Sequence, residues 1–163
     1  MSGFHVKKGP FVAQGNDAIV IGSDHAGFRL KEHIKKELEK AGIPFEDVGV
    51  FNEDRSDYPV YAARAASKVS SGQFKRGIVI CGSGIGASIV ANRFKKVRAA
   101  LCVTLEMAKM SRSHNDSNVL VLGQRITTEE TATGILNLWL TTQFEGGRHC
   151  GRIDMIDTVD GSQ

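Results

Sequence analysis

The sequence predicts an α/β fold: a parallel five-stranded sheet covered by helices on both faces. Two observations carry this. Short apolar runs alternate along the chain with amphipathic, helix-period segments, which is the order that gives parallel strands and right-handed crossovers. The runs are also apolar nearly throughout, as strands buried on both faces are.

The elements follow in chain order. Ala18–Gly22 is a short apolar run and reads as a buried strand. Residues 27–41 place Phe28, Leu30, Ile34 and Leu38 among many Lys and Glu, an amphipathic helix that Gly42 ends. Ile43–Val48, entered through Pro44, is a second strand. Asp57 is placed to cap a helix from Tyr58 to Val69, with Pro59 in the first turn, where its missing N–H does no harm. Gly77–Cys81 is the third strand, followed by a helix from Ile85 to Phe94. Arg98–Val103 is a fourth strand, and Thr104 caps a short helix reaching Ser111. Asn118–Leu122 is the fifth strand. Thr127 and Glu130 have capping-box spacing and open a helix to Thr142. The segment 144–163 carries a weak signal for a last helix, and residues 1–17 read as an N-terminal extension without periodicity. Residue patterns do not fix the strand order; the expected order is 2-1-3-4-5, which reverses between strands 1 and 3, and ligands bind at strand carboxyl ends beside such a reversal.

Bulk properties narrow the function. A chain of 163 residues fits one domain, expected over 18–157 with a short tail at 158–163. The formal net charge of +3 is mild and the Lys and Arg are scattered, so nucleic acid is not an expected partner. Even the densest basic stretch, Arg93 to Arg98, reads as a solvated helix end. Three cysteines (Cys81, Cys102 and Cys150) match no zinc spacing and follow no export signal, which points to reduced thiols in a cytoplasm. No run approaches the roughly 18–20 apolar residues of a membrane span.

The chemistry sits just after the apolar runs. The third strand ends in "CGSGIG": Cys81, then Gly82, Ser83, Gly84, Ile85 and Gly86 at the start of a helix. A helix N-terminus offers unpaired N–H groups and partial positive charge, and glycines let backbone approach an anion closely. That field favours thiolate over thiol, so Cys81 is placed to be reactive. A dinucleotide fingerprint is formally present as Gly82-x-Gly84-x-x-Ala87, yet no acid ends the next strand. A cysteine phosphatase would close the loop with arginine, where Ala87 and Ser88 stand. The Gly-Lys-Ser/Thr ending of a P-loop is absent. The first strand ends in "GSDHAG", putting Asp24 and His25 at another helix start, a second anion site. The loop "SRSHNDSN" holds His114, Asn115 and Asp116; His114 suits acid–base work, while Asp116 equally suits a structural role. These groups are expected together at one sheet edge. Arg148 and Arg152 share a face if the tail is helical, which suits a phosphate, but spacing alone favours an exposed basic face, to which His149 is also assigned.

Taken together, "SDHAGFRLK", "DYP", "GIVICGSGIGASIVANR", "SRSHNDSNVLVLGQR" and "EGGRHCGRI" resemble the ribose-5-phosphate isomerase B family, in the wider group that includes galactose-6-phosphate isomerase. The resemblance covers residues 18–157. It implies a three-layer αβα sandwich of flavodoxin-like or Rossmann-like type. It implies no metal and no organic cofactor, a sugar phosphate as substrate, and a homodimer or dimer of dimers with shared active sites. It matches Cys81 to the proton-transferring base, His114 to the ring-opening acid and Ser83 to the loop hydroxyl. Substrate binding falls to Asp24, His25, Tyr58, Gly82, Gly84, Ile85, Gly86, Asn115 and Arg125, with Arg148 and Arg152 for the phosphate. His114 and Asn115 would come from the neighbouring chain. Ser83 replaces the family's usual threonine and keeps its hydroxyl. Some members use a glutamate instead of the cysteine; Gly86 stands at that position and no acid lies in 82–88, which leaves Cys81 as the base. An isomerase of a six-carbon sugar phosphate, or a non-catalytic phosphosugar-binding regulator, are the alternatives.

Overall fold

The computed structural model describes residues 18–159. The 1–17 extension and the last four residues lie outside them. Five strands form one all-parallel sheet: β1 (Ile19–Ser23), β2 (Phe45–Asp47), β3 (Arg76–Cys81), β4 (Ala99–Leu101) and β5 (Val119–Gly123). The helices are α1 (Phe28–Lys40), α2 (Tyr58–Ser70), α3 (Ile85–Ala91), α4 (Leu105–Ser113), α5 (Glu129–Thr141) and α6 (Arg148–Thr158).

Strand alternation sorts the core by size. Ile19, Ile21, Ile78, Ile80, Leu120 and Leu122 face one side, where Leu30, Ile34 and Leu38 of α1 and Ile135 and Trp139 of α5 pack on them. Val20, Val79, Val119 and Val121 face the other, under the alanines of α2 and α3 (Ala62, Ala65, Ala66, Ala87 and Ala91). Cys81 belongs to this second, finer-grained face. Small side chains let α2 and α3 lie close to the sheet, which brings the start of α3 right to the tip of β3.

The strand order is β2-β1-β3-β5-β4, so the expected 2-1-3-4-5 is corrected at its last two places. The reason is burial. All five residues of β5 are buried, and such a strand needs a neighbour on each side; β4 is three half-exposed residues, fit for an edge. The reversal between β1 and β3 is unaffected. The swap has a functional consequence, because Gly123 now pairs with Cys81 in register and the turn after β5 lies against the cysteine loop.

Local details also differ. Thr128 caps α5, accepting from the Thr131 N–H, whereas Thr127 is buried one residue earlier. Asp57 holds the N-cap position of α2 without a side-chain bond to it. Thr104 caps α4 as expected, accepting from the Met107 N–H. Arg98 is no solvated helix end: it forks onto Asp157 of α6 with Nη1 at 2.8 and 3.0 Å from the two oxygens, and with buried Ile153 it ties the tail helix down. Under β2, the ammonium of Lys31 is fully buried, paired to Asp47 and lying near the rings of Phe28 and Phe51.

Candidate active site

Two clusters of polar side chains stand on opposite edges of the sheet. The first is at the carboxyl edge. A cavity of about 590 Å³ opens between the ends of β1 and β3, and Asp24, His25, Tyr58, Cys81, Gly82, Ser83, Ile85, Gly86 and Arg125 all line it. Nine of the residues matched from the sequence are thus brought together.

Its centre is the β3–α3 turn. Gly84 sits at φ 77°, a left-handed conformation that glycine adopts freely, and its N–H donates to Cys81 Sγ at 3.1 Å. A side chain here would also strike Leu101. Ser83 Oγ accepts from the Ile85 N–H at 3.3 Å. The Arg125 N–H donates to the Gly82 carbonyl at 2.9 Å and the Gln124 N–H to that of Cys81 at 3.0 Å, so the turn after β5 braces the loop. The Arg125 guanidinium lies over Gly82, where a Cβ would sit 3.2 Å from it. Tyr58 closes against Gly86 in the same way, leaving no room for a larger residue.

On the β1 side, Asp24 caps the short 3₁₀ turn His25–Gly27 through the Gly27 N–H at 3.0 Å. Burial pushes its carboxyl above the usual aspartate range, with the Gly27 N–H, His25 and Arg125 pulling the other way. The His25 ring is oriented by Ser56, whose backbone N–H donates to Nδ1 at 3.2 Å. Arg55 and Ser56 line the same cavity. Sequence reading missed both, since they lie in an irregular stretch whose only signal was polarity.

The second cluster is at the amino edge. The helix α4 runs back from the end of β4, so its C-cap, His114, precedes β5 and cannot share an edge with Cys81 of its own chain. The ends of the five-residue strand β5 alone are about 13 Å apart at 3.3 Å per residue. The expectation of a single cluster is corrected here. It treated the loop after α4 as if it followed a strand. His114 instead stacks on His149, with ring centroids 4.6 Å apart and planes 13° from parallel. Arg148 and Arg152 open α6 beside them, both exposed, and Asn115 is exposed next to His114. His149 is buried rather than part of an exposed basic face. Burial, then His114 and the charges of Arg148 and Arg152, hold it below the ordinary histidine range, with Glu145 partly offsetting. Asp116 resolves to structure: Arg112 pairs with it at 2.6 Å and Arg98 at 3.3 Å.

The sequence model of the Ribose/Galactose Isomerase family matches residues 19–156. The chain is 43% identical over 142 residues to ribose-5-phosphate isomerase B of Escherichia coli, covering 87% of this chain and 95% of that one. Among solved structures, ribose-5-phosphate isomerase B of Clostridium thermocellum superposes with a TM-score of 0.84 at 45% identity, covering 86% of this chain and 95% of that one. The enzyme of Mycoplasma genitalium, solved with ribulose-5-phosphate bound, gives 0.82 at 39% identity, covering 86% and 93%. With a β3–α3 glycine turn of the expected form and a match over nearly the whole described fold, this chain belongs to the ribose/galactose isomerase family.

Proposed function

We propose that the chain is a sugar-phosphate isomerase that interconverts ribose 5-phosphate and ribulose 5-phosphate, with each active site assembled from two copies of the chain. The observation that carries this reading is the split itself. One edge of the sheet holds a thiol in a glycine turn, the other holds an imidazole beside two arginines, and a single chain cannot bring them together. Exposed Ile85 and Ile89 on the cavity rim, and exposed Met155 and Ile156 on α6, are the apolar surface that such an assembly would cover.

The chemistry follows from the groups. His114 of one copy protonates the ring oxygen and opens the furanose. Cys81 of the other, as thiolate, takes the proton from C2 and returns it to C1. The Gly84 N–H donates to the sulfur at 3.1 Å and holds it in the turn. The cis-enediolate intermediate carries negative charge on oxygen, and N–H groups of the 82–86 turn stabilise it; loss of one such donor typically costs ~3–4 kcal/mol. Ser83 relays a proton between the two oxygens. Arg148, Arg152 and His25 grip the remote phosphate, and that binding energy holds C2 against sulfur. No step needs a metal or organic cofactor. A thiolate base needs reducing surroundings, which fits a cytoplasmic enzyme; no helix among the described residues is long and apolar enough to cross a membrane.

The test is a coupled assay comparing ribose 5-phosphate with allose 6-phosphate and galactose 6-phosphate. The proposal expects the pentose to have the highest kcat/KM and Cys81→Ala to abolish turnover while the fold stays intact. A higher kcat/KM with a hexose phosphate overturns the substrate assignment; an active Cys81→Ala protein overturns the mechanism.

A further inference from the structure

The loop between β2 and α2 carries a cation that the isomerase reading leaves without a task. Arg55 is exposed and lines the cavity of about 590 Å³ together with His25, Cys81 and Arg125. Its neighbours in the loop are all engaged. Asn52 donates its amide to Asp54 at 3.0 Å and accepts from the Asp54 N–H at 3.1 Å. Glu53 pairs with Arg29 of α1. Ser56 grips His25 twice: its Oγ accepts from the His25 N–H at 3.0 Å, and its own N–H donates to His25 Nδ1 at 3.2 Å. Arg55 stands between these holds and has no ion-pair partner among the described residues, not even Asp57, two positions on and part of the same lining. The loop is thus fixed on both sides of Arg55, and its guanidinium is left for a ligand.

The lining shows which part of a ligand it meets. Arg125 lies over Gly82, at the thiol end of the cavity. Arg55 is attached instead to the His25 side, through Ser56. His25 is the group of this chain that the proposed function assigns to the phosphate. A guanidinium presents a planar fork that meets two phosphate oxygens at once, which a single imidazole cannot do.

We propose that Arg55 is a phosphate-binding residue of the sugar-phosphate site, supplied by the same chain as Cys81. The phosphate is then held from two sides, by His25 and Arg55 of one copy and by Arg148 and Arg152 of the other. The proposal rests on the isomerase reading for its sugar, while the phosphate contact can be measured without turnover.

The experiment uses the full-length protein as wild type, Arg55→Gln, Arg55→Lys and Lys36→Gln. Lys36 is exposed on α1 away from the cavity lining, so Lys36→Gln removes the same charge without touching the site. Inorganic phosphate is titrated against each protein by phosphorus NMR line broadening, and isomerisation of ribose 5-phosphate is followed in parallel; circular dichroism confirms that each variant is folded. The expected result is that Arg55→Gln raises the phosphate Kd and the KM together, by about tenfold or more, as loss of a charged hydrogen bond does. Its kcat should fall by much less, Arg55→Lys should recover part of the loss, and Lys36→Gln should match wild type. An unchanged phosphate Kd in folded Arg55→Gln overturns the proposal, and so does an equal rise in Lys36→Gln, which would make the effect one of bulk charge. A raised KM with an unchanged phosphate Kd also overturns it, since Arg55 would then meet the sugar. Absence of isomerase activity in wild type would count against the proposed function and leave the phosphate titration to decide on Arg55.

Discussion

Gly123→Ala tests the cysteine loop from a position that touches no substrate. Gly123 ends β5 opposite Cys81. A Cβ there would lie 2.5 Å from the Ser83 carbonyl oxygen and 2.6 Å from its carbon, with Ile126 Cγ1 at 2.8 Å. Ordinary contact starts at 3.4 Å and the tightest tolerable one at 3.0 Å, so the Ser83 peptide must retreat by about 0.5–0.9 Å. That peptide belongs to the turn assigned to the enediolate oxygens. A displacement of about 1 Å in a reacting geometry costs on the order of 10²-fold, so kcat/KM for ribose 5-phosphate should fall by about 10- to 100-fold. Overpacking of this kind destabilises by about 1–3 kcal/mol, which at this chain length lowers Tm by roughly 2–12 °C and leaves the protein folded at 25 °C. The comparison is Gly134→Ala on α5, where the new methyl meets only the flexible end of Leu105 at 2.7 Å. It should keep kcat/KM within about twofold while still shifting Tm, since alanine is the better helix former. A folded Gly123→Ala protein with wild-type kcat/KM would refute the idea that the turn's position controls the reaction.

Three further outcomes are expected. Burial pushes the Cys102 thiol up to about 11, so iodoacetamide at neutral pH should alkylate Cys81 and Cys150 well before Cys102, with ribose 5-phosphate protecting Cys81 alone; peptide mapping checks this. The His149 imidazole is held below its unfolded value, so its neutral form stabilises the fold above the unfolded pKa and that contribution is lost as pH falls through the folded one; Tm of wild type should drop more steeply from pH 7 to pH 5 than Tm of His149→Asn. Asp47→Ala leaves the fully buried Lys31 ammonium, among the described residues, with Glu32 at 3.4 Å as its remaining ion-pair partner, and denaturant unfolding should show a loss of about 3 kcal/mol, partly recovered by Lys31→Met in the same chain.

The sequence was most legible where periodicity and turn chemistry speak together. The apolar runs located all five strands, and "CGSGIG" located the β3–α3 turn because glycine at a left-handed position has few substitutes. Tertiary choices were harder. The order of β4 and β5 follows from which strand is buried on both sides, and VLVLG against AAL carries that information only when burial is compared between strands. His114 was picked out by its polar loop, but its edge was misjudged, because the direction of α4 decides it. His149 was dismissed for lack of a pattern; its importance comes from the stack with His114, a contact between residues 35 positions apart in sequence. Asp116 resolved to structure only once Arg98 and Arg112 were seen to converge on it.

In the proposed enzyme one active site takes its thiol and its imidazole from different chains, and mixing two inactive variants tests this. Cys81→Ala and His114→Ala proteins, each inactive alone, are combined, and subunit exchange is verified by native mass spectrometry. In a two-fold dimer with random exchange, half the dimers are mixed and each carries one intact site, so about a quarter of wild-type activity should return. Complete exchange with no recovery of activity would contradict the account and place both groups' chemistry within a single chain.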